Sequence, residues 1–170
     1  MIAGKKVLAI IPARGGSKGV SRKNIRLLAG KPLLVWTIDE AKKSKYIDRL
    51  ILSSEDEEII KIAKEYGCEV PFRRPVELAQ DDTLGIEPVI HALNTVKENY
   101  DYVVLLQPTS PLRTVEDIDV CIEKCIDSKA PSCVSVCEAS QSPYWMYKLN
   151  EQMKMQPVIE YTGKNNRRQD

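Results

Sequence analysis

Between Pro12 and Ile25 the chain carries Arg14, Lys18, Arg22 and Lys23 on a run that also holds Gly15, Gly16 and Gly19. Glycines let a backbone curl until successive N–H groups face one point, which makes an anion nest. Four cations in so short a loop repel one another unless an anion neutralises them, and a triphosphate does so economically. The run matches neither the G-x-x-x-x-G-K-[ST] phosphate loop nor the G-x-G-x-x-G dinucleotide fingerprint. A solvated basic loop is the plain alternative.

Other residue types offer less. The five cysteines are an odd number, and Cys121/Cys125 and Cys133/Cys137 lack the C-x-x-C spacing of a zinc ribbon. They read as reduced, mostly buried thiols of a cytoplasmic protein. His91, the only histidine, falls beside the apolar face of its segment and is assigned no role, and Asp101 and Asp119 read as solvated carboxylates. A secretory leader is not expected, because Lys5 and Lys6 lead into a short strand-like run that Pro12 stops, with no h-region and cleavage site.

The basic loop must be held by elements that alternate along the chain. Val7 to Ile11 is an apolar run stopped by Pro12, read as a buried strand, and Leu50 to Leu52 and Tyr102 to Leu106 repeat the pattern. Cys133 to Cys137 is expected to form a fourth strand. Between them, helices are expected over Pro32–Lys45, after Ser54 with its capping partner Glu57, from Ile86 to Val96, and after Thr114 with Asp117. Gly67 stands where a helix C-cap glycine belongs. Strands that are apolar throughout and alternate with helices imply an α/β fold, a three-layer α/β/α arrangement on a mainly parallel sheet. Ligands bind such sheets outside the carboxyl ends of the strands, where the basic loop lies. After Ser142 the pattern changes. Tyr144, Trp145, Met146 and Tyr147 open a stretch that reads as a hairpin or arm. The expected organisation is a nucleotide-binding domain over 1–141 and an arm over 142–170.

Composition narrows the class. A chain of 170 residues that is 43% hydrophobic and 29% charged is globular, and it has no apolar run long enough to span a membrane. Its net charge of +1 conceals a segregation: residues 1–38 hold eight basic residues and no acidic one, and the remainder holds 17 basic against 24 acidic. That split implies a local anion site on an acidic body. Because the positive charge is one compact loop rather than a stripe with stacking aromatics, nucleic-acid binding is disfavoured.

The run from Ile11 to Trp36, I-P-A-R-G-G-S-K-G-V-S-R-K-N-I-R-L-L-A-G-K-P-L-L-V-W, resembles the acylneuraminate cytidylyltransferases. Arg73 to Thr83 and Leu106 to Arg113 extend the resemblance through essentially the whole chain. It implies a nucleotide-diphospho-sugar transferase-like, Rossmann-like fold. It also implies transfer of CMP from CTP to the anomeric hydroxyl of a nonulosonic acid, of the sialic, legionaminic or pseudaminic type, with release of pyrophosphate and a requirement for Mg2+. By the same resemblance Arg14 and Lys18 hold the triphosphate with the N–H groups of Gly15, Gly16 and Ser17. Lys23 acts at the α-phosphate, and Asn24, Arg74, Thr83 and Gly85 contact the nucleotide. Arg73 replaces Arg74 if the register shifts by one. Gln107 and Arg167 would bind the sugar acid and Arg168 would be the essential arginine, with the roles of the last two interchangeable. A guanidinium suits this task because it grips a carboxylate bidentately. A homodimer formed through the aromatic arm is implied as well.

The metal ligands implied by the resemblance fall beyond Asp170, so the chain is expected to be shortened at its C-terminus and weak or inactive by itself. Two other readings stay open: a different sugar nucleotidyltransferase such as a KDO cytidylyltransferase, and a non-catalytic CTP-binding module.

Overall fold

The computed structural model describes residues 2–138 and 140–159. β1 (Val7–Pro12) is apolar on both faces, and Val7 to Ile11 are completely buried. Such a strand has to be covered on both sides. Past the basic loop, β2 (Leu27–Leu28) and β3 (Lys31–Pro32) form a hairpin turned at Ala29 and Gly30, with φ of 50° and 80°. Positive φ at both central residues is the type I′ turn that matches strand twist. There follow α1 (Leu33–Lys43), β4 (Arg49–Ser53), α2 (Glu57–Glu65), α3 (Glu87–Val96), β5 (Tyr102–Leu105) and α4 (Val115–Asp127).

The sheet runs β4-β1-β5, all parallel, with Leu8 opposite both Arg49 and Val103. Alternation along β1 divides the core. Val7, Ala9 and Ile11 pack with Leu34 and Ile38 of α1, Ile59 and Ala63 of α2, and Ile118 and Ile122 of α4. Leu8 and Ile10 face the other way, toward Val89 and Ala92 of α3. Helices therefore cover both faces, and the α/β/α layering expected from the sequence is what forms.

Helix ends are set by local chemistry. α4 begins with the expected capping box: Thr114 accepts from the Asp117 N–H, and the Asp117 carboxylate accepts from the Thr114 N–H. α2 begins two residues later than the Ser54 signal suggests. Asp56 is its N-cap and accepts from the Ile59 N–H at 3.0 Å, while the Ser54 hydroxyl accepts from the Asp56 N–H. The carboxylate is the better acceptor at a helix start. Gly67, at φ 71°, ends α2 in a Schellman motif, with its own N–H on Lys64 and the Cys68 N–H on Ala63.

Two expectations are corrected. Cys133 to Cys137 forms no strand, and Val134 and Val136 are 77% and 90% exposed. Alternating apolar residues make a strand only when an edge pairs with them, and among the described residues none does. Asp119 is buried rather than solvated and accepts from the Ser44 hydroxyl at 2.5 Å.

Contacts divide the chain into two compact units, Met1–Cys133 and Val134–Asp170. In the second, a single 3-10 turn over Pro143–Trp145 leads into an antiparallel hairpin of β6 (Tyr147–Leu149) and β7 (Met155–Pro157).

Candidate nucleotide site

Because β1, β4 and β5 are parallel, their carboxyl ends share one edge, and the loops that follow them meet there. The Arg74 N–H donates to the Ser54 carbonyl at 2.9 Å, which brings the segment after Arg73 to the same edge. A concavity opens there, lined by Arg14, Gly16, Ser17, Lys18, Ala79, Gln80 and Asp81.

The loop after β1 is held by carboxylates from two other segments. The Gly15 N–H donates to Glu55 at 2.7 Å, and the second oxygen of Glu55 accepts from Arg74 at 2.6 Å. Gly15 is a glycine for a steric reason, since a Cβ there would overlap the Asp56 carboxylate. At Gly16 and Gly19 a Cβ would meet nothing, so the tight approach is confined to one glycine.

Arg22, at φ 53°, reaches Asp56 at 2.5 and 3.1 Å and also bonds Glu58. Arg14 and Lys18 share Asp81, at 3.1 and 2.7 Å, and Arg14 also donates to the Gln80 carbonyl at 2.9 Å. The loop's cations are therefore not left to repel one another, contrary to expectation. Its arginines and Lys18 are neutralised within the chain, and repulsion by itself does not call for an outside anion. These pairs displace the carboxyls. Lys18, then Arg14, holds the Asp81 carboxyl below its usual range, and the Arg22 hydrogen bond does the same to Asp56. Lys23 lies on a 3-10 turn over Lys23–Ile25 and makes no ion pair among the described residues.

The other expected residues have definite places. Asn24 is buried, 6% exposed, and its amide donates to the Arg14 carbonyl at 2.9 Å, so it fixes the loop from behind. Arg74 is 3% exposed, and its Nε has no partner among the described residues. Arg73 is exposed and bonds the Glu55 carbonyl and Glu57. Thr83 accepts from the Gln80 N–H and donates to the Glu77 carbonyl, which closes the turn that carries Asp81. Gly85 is exposed at ordinary φ, with no close neighbour. Gln107 is exposed at the end of β5, and its carbonyl accepts from Arg113 at 3.2 Å. Arg167 and Arg168 lie outside the described residues.

Sequence reasoning missed Glu55, Asp56 and Asp81. The signal for the first two was available, as an acidic run from Glu55 to Glu58 directly after an apolar strand. Asp81 had no such signal. His91 sits edge-on to Phe72, with ring centroids 5.1 Å apart. The five cysteines are free thiols, but against the expectation of mostly buried ones only Cys68 is buried, and burial pushes its thiol up to about 12, while Cys133 and Cys137 are exposed.

Among the described residues no group of three or more His, Cys, Asp or Glu side chains could hold a metal ion. The carboxylates at the loop are each committed to an arginine or lysine, so these residues do not fit Mg2+. Among the described residues no helix is long and apolar enough to cross a membrane.

Comparison with known proteins places this arrangement. The Cytidylyltransferase family profile matches residues 8–160. The pseudaminic acid cytidylyltransferase of Campylobacter jejuni is 38% identical over 149 residues, covering 86% of this chain and 64% of that protein. The CMP-N,N'-diacetyllegionaminic acid synthase of Legionella pneumophila is 39% identical over 150 residues, with the same coverages of 86% and 64%. The chain thus spans a little under two thirds of the length of these relatives. Among solved structures, CMP:2-keto-3-deoxy-manno-octonic acid synthetase complexed with CTP superposes with a TM-score of 0.64 at 20% identity, over 74% of this chain and 49% of that one. At that identity the likeness concerns the fold. By its sequence over nearly its whole length, the chain belongs to the cytidylyltransferase family.

Proposed function

We propose that the chain carries the nucleotide half of a site that transfers CMP from CTP to the anomeric hydroxyl of a nonulosonic acid. The observation that carries this reading is the concavity where Arg14, Lys18 and the Gly16–Ser17 backbone meet, at the carboxyl edge of the parallel sheet. The acceptor oxygen forms a bond to the α-phosphorus, the bond to the β-phosphate oxygen breaks, and pyrophosphate leaves. Such transfer is mostly positioning plus stabilisation of charge on phosphate oxygens. Arg14 and Lys18 would hold the β- and γ-phosphates, and Lys23, not committed to any carboxylate among the described residues, would meet the charge that moves off the α-phosphate. Glu55 and Arg74 would keep the loop in place. Gln107 would orient the sugar acid, and Arg167 or Arg168 would grip its carboxylate.

The relatives named for pseudaminic and legionaminic acids support the acceptor class, with sialic acid the third member to test. In this reading the family's Mg2+ takes no ligand from the described residues, and no step is drawn through it. The reading extends to a cytoplasmic homodimer in which the exposed aromatics Trp145 and Tyr147 lie against a second copy.

Calorimetric titration with CTP, UTP and ATP tests the nucleotide half. CTP is expected to bind most tightly, and at a hundredfold excess over its Kd to stabilise the fold by about 2.7 kcal/mol. Pyrophosphate release from CTP, measured with each of the three acids, tests the transfer. A chain that does not bind CTP overturns the reading, and so does one that binds UTP or ATP equally well.

A further inference from the structure

Among the carboxylates that occupy donors of the basic loop, Glu55 and Asp81 differ in their surroundings. Glu55 is 13% exposed and paired with Arg74 at 3%. Removing either partner would leave a buried charge unpaired, so this pair is a fixed part of the fold. Asp81 is 51% exposed, and its partners Arg14 and Lys18 are 35% and 79% exposed. Exposed ion pairs contribute little, so this contact can be exchanged for a better one.

The geometry of the exchangeable pair is that of a phosphate surrogate. One Asp81 oxygen lies 3.1 Å from Arg14 Nη2 and the other 2.7 Å from Lys18 Nζ, so one carboxylate bridges the two cations of the concavity. Asp81 sits on a turn closed by the Thr83 hydroxyl and tied to Arg14 through the Gln80 carbonyl.

We propose that Asp81 is an internal counter-ion that holds Arg14 and Lys18 ready in the free chain and is displaced by the phosphates of the incoming nucleotide, so that it sets the affinity of the site. This rests on the nucleotide reading of the loop given above. A carboxylate carries one negative charge and a triphosphate several, so the polyphosphate wins the exchange. While the carboxylate holds the cations, a singly charged anion has to compete on equal terms.

The test uses inorganic tripolyphosphate and CTP as probes, titrated into the wild-type chain, Asp81→Asn and Asp81→Ser. Both variants are expected to bind both probes about fivefold more tightly, with a steeper fall of affinity as salt rises, because a competing charge is gone. A second measurement needs no variant: the carboxyl carbon of Asp81, followed by NMR in the wild-type chain. In the free chain it titrates below the ordinary aspartate range, and saturation with tripolyphosphate is expected to return it toward that range as its partners are taken. Variants that bind equally or more weakly overturn the proposal, as does an Asp81 titration unmoved at saturation. If the wild-type chain binds neither probe, the nucleotide reading itself has failed, which is a distinct result.

Discussion

Arg74 meets Glu55 at 2.6 Å with only 3% of its surface exposed, and the same carboxylate receives the Gly15 N–H. A guanidinium in that position would act on the loop through Glu55, as a positioning residue. Truncating it strands a largely buried carboxylate, so Arg74→Ala is expected to lower stability by about 3 kcal/mol. Urea unfolding measures this, and the double variant with Glu55→Gln is expected to recover part of the loss because no charge is then orphaned. Unchanged stability in Arg74→Ala, with CTP affinity lost, would instead make Arg74 a direct nucleotide contact. The residue types at the site could be read from the chain, since Arg14, Lys18 and Lys23 stand on one loop. Their partners could not, because Glu55 lies 40 residues from Gly15 and Gln80 lies 66 from Arg14.

Among the elements, α2 links helix capping to the site, because its N-cap Asp56 also holds Arg22 and packs on Gly15. Asp56→Ala removes both the cap and the ion pair and is expected to cost about 1–2 kcal/mol. Asp56→Asn keeps a good cap and loses only the charge, and is expected to cost less than about 1 kcal/mol. The pH dependence has a definite sign. The folded carboxyl lies below its ordinary value, so its contribution is full above the ordinary aspartate range near 4 and is lost as pH falls below that range through the lower folded value. Urea midpoints at pH 7 and in that acidic range should show the gap between wild type and Asp56→Asn narrowing. A gap independent of pH would mean that the Arg22 pair does not act on stability. Capping was legible as a signal near Ser54 but displaced by two residues, since a hydroxyl and a carboxylate compete for the same helix start and the carboxylate wins.

For the molecule as a whole, and among the described residues, β1 is enclosed between two neighbours, whereas β5 has one. Tyr102 donates to Lys6, the residue before β1, Leu106 donates to Ile10 on β1, and alternation directs the Val103 and Leu105 amides away from that strand. Val103 and Leu105 are also 38% and 43% exposed. Their amides are expected to exchange with solvent faster than those of Val104 and Leu106, and all of β5 faster than β1, by hydrogen-exchange NMR. Equal protection along β5 would show that its outer edge is covered. By itself the sequence determined what depends on near neighbours: the apolar run of β1, the capping box of α4, the Gly67 terminus of α2, and the basic loop with its family resemblance. Only the tertiary structure decided what depends on pairing across the chain. It put Glu55, Asp56 and Asp81 against the loop's donors, because the order β4-β1-β5 and the Arg74–Ser54 bond bring distant loops to one edge. It also left Cys133–Cys137 without a strand, since alternation states what a strand could bury and pairing alone makes one.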